Sequence, residues 1–340
     1  MVVLKTPSNK MFKKTKYIWY NGRFLKWDDA KVHITTHALH YASLVFEGIR
    51  AYKTKKDVAI FRGRDHIKRL FESAKIFLMD IEKDAGYTQE DILEAIKQLL
   101  KKNEIKEAYI RPIVFRDYTD AGDRWGFLGL NPLRCKVSVA IITFEFPPFG
   151  APNFKLVTVP YIRPNPMSLP MMAKASANYL ISQLASIYAT YINTLAEKAG
   201  YLRKEGDSLI ESFEGLLVDD NGFITEGPGE NIFMVKDGII YTPPVSSQIL
   251  RGITRDSVMK ILEYMGYKVV ERNILLSELY IADEVFMTGT AAEIKPVVEI
   301  DFRPIGNGKP GEITRKVMEF FHRVVRGEVE EFEHWLDYVD

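Results

Sequence analysis

The stretch YIWYNGRFLKW, Tyr17 to Trp27, alternates aromatic and polar residues on both sides of Asn21-Gly22. Asn-Gly is the pair that a type I′ turn prefers, because both central residues need φ > 0, so the stretch predicts a two-stranded hairpin. DDNG (Asp219 to Gly222) and KDG (Lys236 to Gly238) each sit between short apolar runs and predict two more. Hairpins demand antiparallel pairing, so an α/β chain of the α+β type, with largely antiparallel sheets and flanking helices, fits better than a doubly wound parallel sheet.

Working outward, Asp65 is expected to cap a helix whose apolar residues Ile67, Leu70, Phe71, Ala74, Phe77 and Leu78 recur at three and four. A second helix is expected from Thr88, with Asp91 in its first turn and Ile92, Ile96, Leu99 and Leu100 inward. AYIRPIVF and KVSVAIITFEF read as strands. Pro147, Pro148, Gly150 and Pro152 then crowd a connection that continues neither helix nor strand, which places a domain boundary there. The expected division is a smaller domain at 1–147, a loop at 148–153 and a larger domain at 154–340. In the second domain, helices are expected from Lys174 to about Ala199, Thr254 to about Met265 and Ile313 to about Val325.

The chain has 340 residues, 46 Lys+Arg against 45 Asp+Glu, and a formal charge of +1, so the footprint of a dedicated nucleic-acid binder is missing. At 46% hydrophobic and 27% charged, a mainly disordered chain is excluded. A single cysteine, Cys135, leaves no internal disulfide and points to a reducing compartment. No apolar run approaches the roughly 18 to 20 residues that cross a bilayer, and no apolar core follows the basic N-terminus, so a soluble cytoplasmic protein without a membrane partner is expected. Glutamine is scarce beside Lys and Glu, a bias of proteins from hot-growing organisms.

Between Pro164 and Ala196 the average composition would place about nine charges, yet Lys174 stands alone. It is either a lysine that snorkels into water or a desolvated amine whose neighbours in sequence include no carboxylate, suited to nucleophilic attack on a carbonyl. Gly252, Ile253 and Thr254 open an amphipathic helix carrying Val258, Ile261, Leu262 and Met265, and its free N–H groups suit a phosphate. A plain N-cap by Thr254 is the alternative. A second small, hydroxyl-bearing turn follows the strand EVFMTG at Gly289, Thr290 and Ala291. Glu226 sits before a Gly-Pro-Gly turn, and Arg69 lies on the first helix; either could be merely solvated. His33, His37 and His40 have zinc-like spacing and suggest a metal hydrolase, although the extended backbone expected around them does not bring the three rings to one face.

The strings HALHYASLVFEGIRAY, MAKASANYL, ITEGPGENIF, LRGITRD and MTGTAAEIKPV occur in an order that resembles the class IV, fold type IV pyridoxal-phosphate enzymes, most closely the branched-chain amino acid aminotransferases. The resemblance runs from about Tyr17 to the C-terminal WLDYV. It implies a two-domain fold like that of D-amino acid aminotransferase and pyridoxal 5′-phosphate held on Lys174 as a Schiff base. Arg69, Ile253, Thr254 and Thr290 would hold the phosphate, Tyr179 the ring O3′, and Glu226 the pyridine nitrogen. Tyr41, Phe46, Tyr109 and Arg111 match substrate-pocket positions, with Gly289, Thr290 and Ala291 at the α-carboxylate.

By the same resemblance the partners are small amino acids and 2-oxo acids, and the chain assembles as a homodimer or higher homo-oligomer. The implied reaction converts Leu, Ile or Val and 2-oxoglutarate to the branched 2-oxo acid and L-glutamate. Alternatives on the same fold are a D-amino acid or (R)-amine transaminase and aminodeoxychorismate lyase. Outside it stand the zinc hydrolase and a cofactor-free binding protein. Phe149 and Pro152 depart from the usual interdomain Trp and Tyr, and the span from Lys174 to Glu226 is longer than usual.

Overall fold

A computed structural model of the chain describes residues 13–119, 129–146, 153–202, 204–205, 208–209 and 212–340. The principal strands and helices, in order, are β1 Tyr17–Tyr20, β2 Arg23–Lys26, β3 Leu44–Phe46, β4 Ile49–Lys53, β5 Val58–Phe61, α1 Gly63–Ile76, α2 Gln89–Asn103, β6 Ala108–Arg116 and β7 Val137–Glu145. Then come β8 Phe154–Ile162, α3 Tyr179–Lys198, β9 Ser212–Val218, β10 Asn231–Lys236, β11 Ile239–Thr242, α4 Ile253–Tyr264, β12 Val269–Glu271, β13 Glu284–Gly289, β14 Glu293–Ile300, α5 Glu312–Val325 and β15 Leu336–Tyr338.

By contact, the described residues form two units. One comprises those within Lys10–Pro148 together with Ala173–Asn178 and Arg323–Asp340; the other comprises those within Phe149–Met172 and Tyr179–His322. Two segments that the expected division assigns to the second domain therefore belong to the first unit. The reason is pairing: β15 lies antiparallel to β5, with Leu336 opposite Phe61, and Ala175 bridges to Val45. The loop expected at 148–153 lies, apart from Asn153, outside the described residues.

The first unit holds a sheet in the order β15-β5-β4-β6-β7-β1-β2, in which neighbouring strands run antiparallel. Asn21 and Gly22 adopt φ of 44° and 80°, so the opening hairpin forms as its turn chemistry requires. Ile67, Leu70 and Ala74 of α1 and Ile92, Ile96 and Leu99 of α2 join Ile49, Ile60, Ile110 and Val139 of the sheet in one core. Thr88 caps α2 in a capping box with Asp91. Asp65 does not cap α1. That helix starts at Gly63 after a left-handed Arg62, and Asp65, in the first turn, instead accepts Arg62 Nε at 2.6 Å.

The second unit's sheet runs β9-β8-β14-β13-β10-β11-β12. It is mixed: β8 is parallel to both β9 and β14, and β11 to β12, while the central pairs are antiparallel. KDG closes the β10–β11 hairpin with Asp237 and Gly238 at φ of 50° and 74°. Helix α3 packs the small residues Ala185, Ala189 and Ala196 against Val157, Val159, Phe213 and Leu217 of β8 and β9.

Candidate functional site

Lys174 precedes helix α3, so the expected helix start at Lys174 is corrected to Tyr179. Phe46 N–H donates to the Lys174 carbonyl at 2.9 Å, and Lys174 N–H donates to Ser73 Oγ at 3.0 Å. These bonds, with the Val45–Ala175 bridge, hold the backbone against β3 and bring Lys174 Nζ to 5.0 Å from the Phe46 ring centroid.

The same ring meets a second cation. Tyr109 and Arg111 stand two apart on β6, hence on one face, and Arg111 Cζ lies 4.7 Å from the Phe46 centroid. Arg111 Nη2 donates to the Tyr109 hydroxyl at 2.7 Å, while its Nε is buried with no hydrogen-bond partner among the described residues. Tyr41 ends the short helix His37–Tyr41, 39% exposed, with its ring 4.8 Å from that of His37.

Arg69, on α1, is buried against Glu47, the residue after Phe46. Its Nε and Nη2 bond Glu47 Oε1 and Oε2 at 2.6 and 2.8 Å, and His66 Nδ1 lies 2.7 Å from Oε2. Burial by itself would raise the Glu47 carboxyl, but Arg69 and His66 hold it well below the ordinary range. Burial pushes the His66 imidazole down; Glu47 opposes this, and the charges of Arg69 and Lys174 add to it. Glu47 is thus an anion bound side-on by a guanidinium, which fixes the plane of Arg69.

In the second unit Glu226 is 3% exposed and bridges to Asn231, the first residue of β10. Asn231 Nδ2 donates to Glu226 Oε2 at 2.9 Å, the Leu250 N–H lies 3.2 to 3.3 Å from both carboxylate oxygens, and Arg163 is ion-paired to Oε1. Asn231 Nδ2 also donates to the Leu250 carbonyl at 3.1 Å, tying the acid to the loop that enters α4. Gly252 is needed there, since a Cβ would lie 2.0 Å from Asn231 Oδ1. Gly252 is also the N-cap of α4, and no side chain caps it; Thr254 sits inside the first turn, which removes the plain N-cap reading. Helix starts of this kind present N–H groups that suit an anion.

Thr288 of β13 stands opposite Asn231, and its Oγ1 is buried with no partner among the described residues. The strand ends at Gly289, and Thr290 and Ala291 turn into β14. Glu226, the start of α4 and the 289–291 turn therefore gather at one end of β10 and β13. Tyr179 begins α3, and Ser182 one turn later lies 3.4 Å from Arg163 Nη1. A cavity of about 540 Å³ adjoins Tyr179, with Ser182, Gln183, Glu214, Gly229 and Glu230 in its wall. Burial pushes the Glu214 carboxyl up against opposing bonds from Gly215 and Ser186.

The three histidines go separate ways. His33 Nδ1 pairs with Thr35 Oγ1, His37 with Ser43 Oγ and the Gly129 carbonyl, and His40 with the Ile34 carbonyl. Among the described residues, no group of three or more His, Cys, Asp or Glu is placed to hold a metal ion. Sequence reasoning missed Glu47, His66, Arg163 and Asn231 as site residues. Glu47 and Asn231 stand inside quoted motifs, but their partners lie elsewhere in the chain.

Residues 44–193 and 201–300 match the family model described as amino-transferase class IV. The chain belongs to the class IV aminotransferase family. In this class IV aminotransferase the matched segments include every candidate above except Tyr41 and the three histidines before it. The unmatched residues 194–200 fall at the end of α3, within the long span between Lys174 and Glu226. The chain is 39% identical over 336 residues to the branched-chain-amino-acid aminotransferase of Escherichia coli K12, covering 96% of this chain and 99% of the relative. The solved T.th. branched-chain amino acid aminotransferase complexed with N-(5′-phosphopyridoxyl)-L-glutamate superposes with a TM-score of 0.84 at 39% identity, covering 96% and 99%. The Thermoproteus uzoniensis branched-chain aminotransferase with norvaline gives 0.82 at 34% identity, covering 96% and 100%.

Proposed function

We propose that this class IV aminotransferase uses pyridoxal 5′-phosphate to exchange the amino group of L-leucine, L-isoleucine or L-valine with the oxo group of 2-oxoglutarate, giving the branched 2-oxo acid and L-glutamate. The observation that carries this reading is Arg111, whose buried Nε lacks a partner among the described residues while its guanidinium rests on the Phe46 ring that Lys174 also meets. A primary amine, an aromatic wall and a cation with an unused donor suit a pocket that accepts either an apolar side chain or a distal carboxylate.

The residues also suit the cofactor. A lysine amine, a buried carboxylate and an uncapped helix start preceded by glycine match an aldehyde, a ring nitrogen and a phosphate in chemical type. Bound, the cofactor supplies an electron-withdrawing ring that accepts the electron pair left when the substrate Cα–H bond breaks. Lys174 Nζ would hold the cofactor through its aldehyde carbon, and its amine would serve as the general base that takes the Cα proton. Glu226, kept in orientation by Arg163, Asn231 and the Leu250 N–H, holds the proton on the ring nitrogen. Arg69, the Ile253 and Thr254 N–H groups and the Thr254 and Thr290 hydroxyls bind the phosphate, and Tyr179 meets O3′. The N–H groups of the 289–291 turn orient the α-carboxylate, while Tyr41, Phe46 and Tyr109 line the side-chain pocket.

A reducing, cytoplasmic location is supported by the single cysteine, and self-association is part of the same reading. Among the described residues no helix is long and apolar enough to cross a membrane. The test is to supply the purified protein with pyridoxal phosphate, L-leucine and 2-oxoglutarate. Equimolar 4-methyl-2-oxopentanoate and glutamate are expected, together with a visible absorption band that borohydride removes. Reaction with D-amino acids but not with L-leucine would overturn it.

A further inference from the structure

We propose that a cavity beside the opening hairpin binds a nucleoside triphosphate, with the base against Trp27 and the phosphates among Lys14, Lys16 and Lys26. The chain has a formal charge of +1, yet residues 13–31 hold six Lys and Arg against two acids, Asp28 and Asp29. The fold turns this run into a concave surface. The short strand Lys13–Lys14 pairs with Phe144 and Glu145 at the end of β7, Tyr17 stands opposite Lys26 in the hairpin, and Trp27 N–H donates to the Lys16 carbonyl at 3.0 Å. Residues 14–17 and 26–28 wall a cavity of about 470 Å³, a volume in the usual range for small-ligand sites.

Lys14 Nζ lies 3.6 Å from Asp28 Oδ1, while Lys16 and Lys26 have no ion-pair partner among the described residues. All three ammonium groups are exposed, and three like charges around one cavity suit the oxygens of linked phosphates. Trp27 is half-buried and meets Phe144 edge-on at 74°, with centroids 5.6 Å apart, which sets the plane of the indole. Lys102 Nζ lies 4.6 Å from the Tyr17 centroid and holds the second ring of the wall. A planar base stacks on such a surface, whereas a simple aliphatic or cationic ligand matches neither the rings nor the charge. The near-neutral chain argues for one nucleotide rather than a long polyanion. None of these residues has a part in the proposed aminotransfer, so the inference stands or falls apart from it.

The test titrates the holoenzyme, saturated with pyridoxal phosphate, with adenosine triphosphate in a calorimeter. Saturable one-site binding with a Kd on the order of 0.1 to 1 mM is expected, weakening as salt is added. Lys16→Gln combined with Lys26→Gln should weaken it roughly 10-fold or more at an unchanged melting temperature, because two charge-assisted contacts are removed from exposed positions. Trp27→Leu should weaken adenosine triphosphate roughly 5-fold or more and leave inorganic tripolyphosphate as it was, since only the nucleotide has a base to stack. No saturable binding at millimolar concentration, or binding undiminished in the double lysine variant, would overturn the site. Tripolyphosphate bound as tightly as adenosine triphosphate by the parent would overturn the role of Trp27 and the nucleotide with it. If Trp27→Leu fails to fold, that comparison of two ligands on the parent decides the matter alone.

Discussion

Replacing Arg111 by methionine should separate the two substrates that one pocket has to hold. Methionine keeps an unbranched apolar stem over Phe46 and removes the guanidinium. Two losses are common to both substrates: the hydrogen bond to Tyr109 and the cation–π contacts with Phe46 and Tyr109 at 4.7 and 5.2 Å. These act on the free protein and lower both half-reactions together. One loss falls on glutamate and 2-oxoglutarate alone, because leucine and its oxo acid carry no charge at that end. A hydrogen bond to a charged group contributes roughly 1.5 to 3 kcal/mol, so kcat/KM should fall a further ~10- to 150-fold for the dicarboxylates. Stopped-flow absorbance of each half-reaction, over a range of substrate concentration, reads the two ratios directly. Equal losses for glutamate and leucine, accompanied by a lower melting temperature, would make Arg111 a structural strand residue and refute its place in the substrate site.

Other outcomes follow from the remaining residues. Lys174→Ala should abolish turnover, and borohydride reduction of the parent followed by peptide mapping should find the cofactor on Lys174; an adduct on another lysine would give the charge-poor span a different role. Glu226→Gln should keep the cofactor while losing ~10² to 10³ in transamination rate, because a neutral amide does not hold the ring nitrogen protonated. Near-parental single-turnover rates in that variant would remove Glu226 from the role. Glu47→Gln removes the carboxylate paired with the buried Arg69 and should cost ~3 to 5 kcal/mol in chemical denaturation. Since the folded-state pKa of Glu47 is depressed below its ordinary value of 4.5, the stability it contributes is present above that pH and declines as pH falls. Parent and variant stabilities should therefore converge in acid; a constant gap between pH 7 and pH 3 would contradict the ionised pair.

Local signals were legible wherever the chemistry was local. Asn21-Gly22 specified its own turn, Thr88 and Asp91 the start of α2, and apolar spacing the buried faces of α1 and α2, except that Phe77 and Leu78 lie past the end of α1 and Leu78 is exposed. Lys174 was visible because a charge in an otherwise uncharged stretch needs a reason. Where neighbours in space overrode neighbours in sequence, local pattern misled. The residues after Lys174 look helical, but Ala175 bridges to Val45, Ser176–Asn178 form only a 3-10 turn, and the α-helix begins at Tyr179. Asp65 looks like a cap, but the cap position falls three residues earlier, on a left-handed Arg62.

The amino-acid sequence by itself determined the hairpins, the start of α2, the two-domain α+β class and the residue types available for chemistry, because these depend on φ preferences and on periodicities of two and 3.6. Only the tertiary structure decided how those residues are held. Glu47 meets Arg69 across 22 positions and Arg163 meets Glu226 across 63, and both contacts are buried ion pairs that no local pattern encodes. The return of Leu336–Tyr338 to the edge strand Val58–Phe61, and the space at Gly48 that the Tyr109 hydroxyl fills, are likewise matters of packing between segments distant in sequence. Contacts of that kind depend on how closely two surfaces approach, and that distance exists only once the chain has folded.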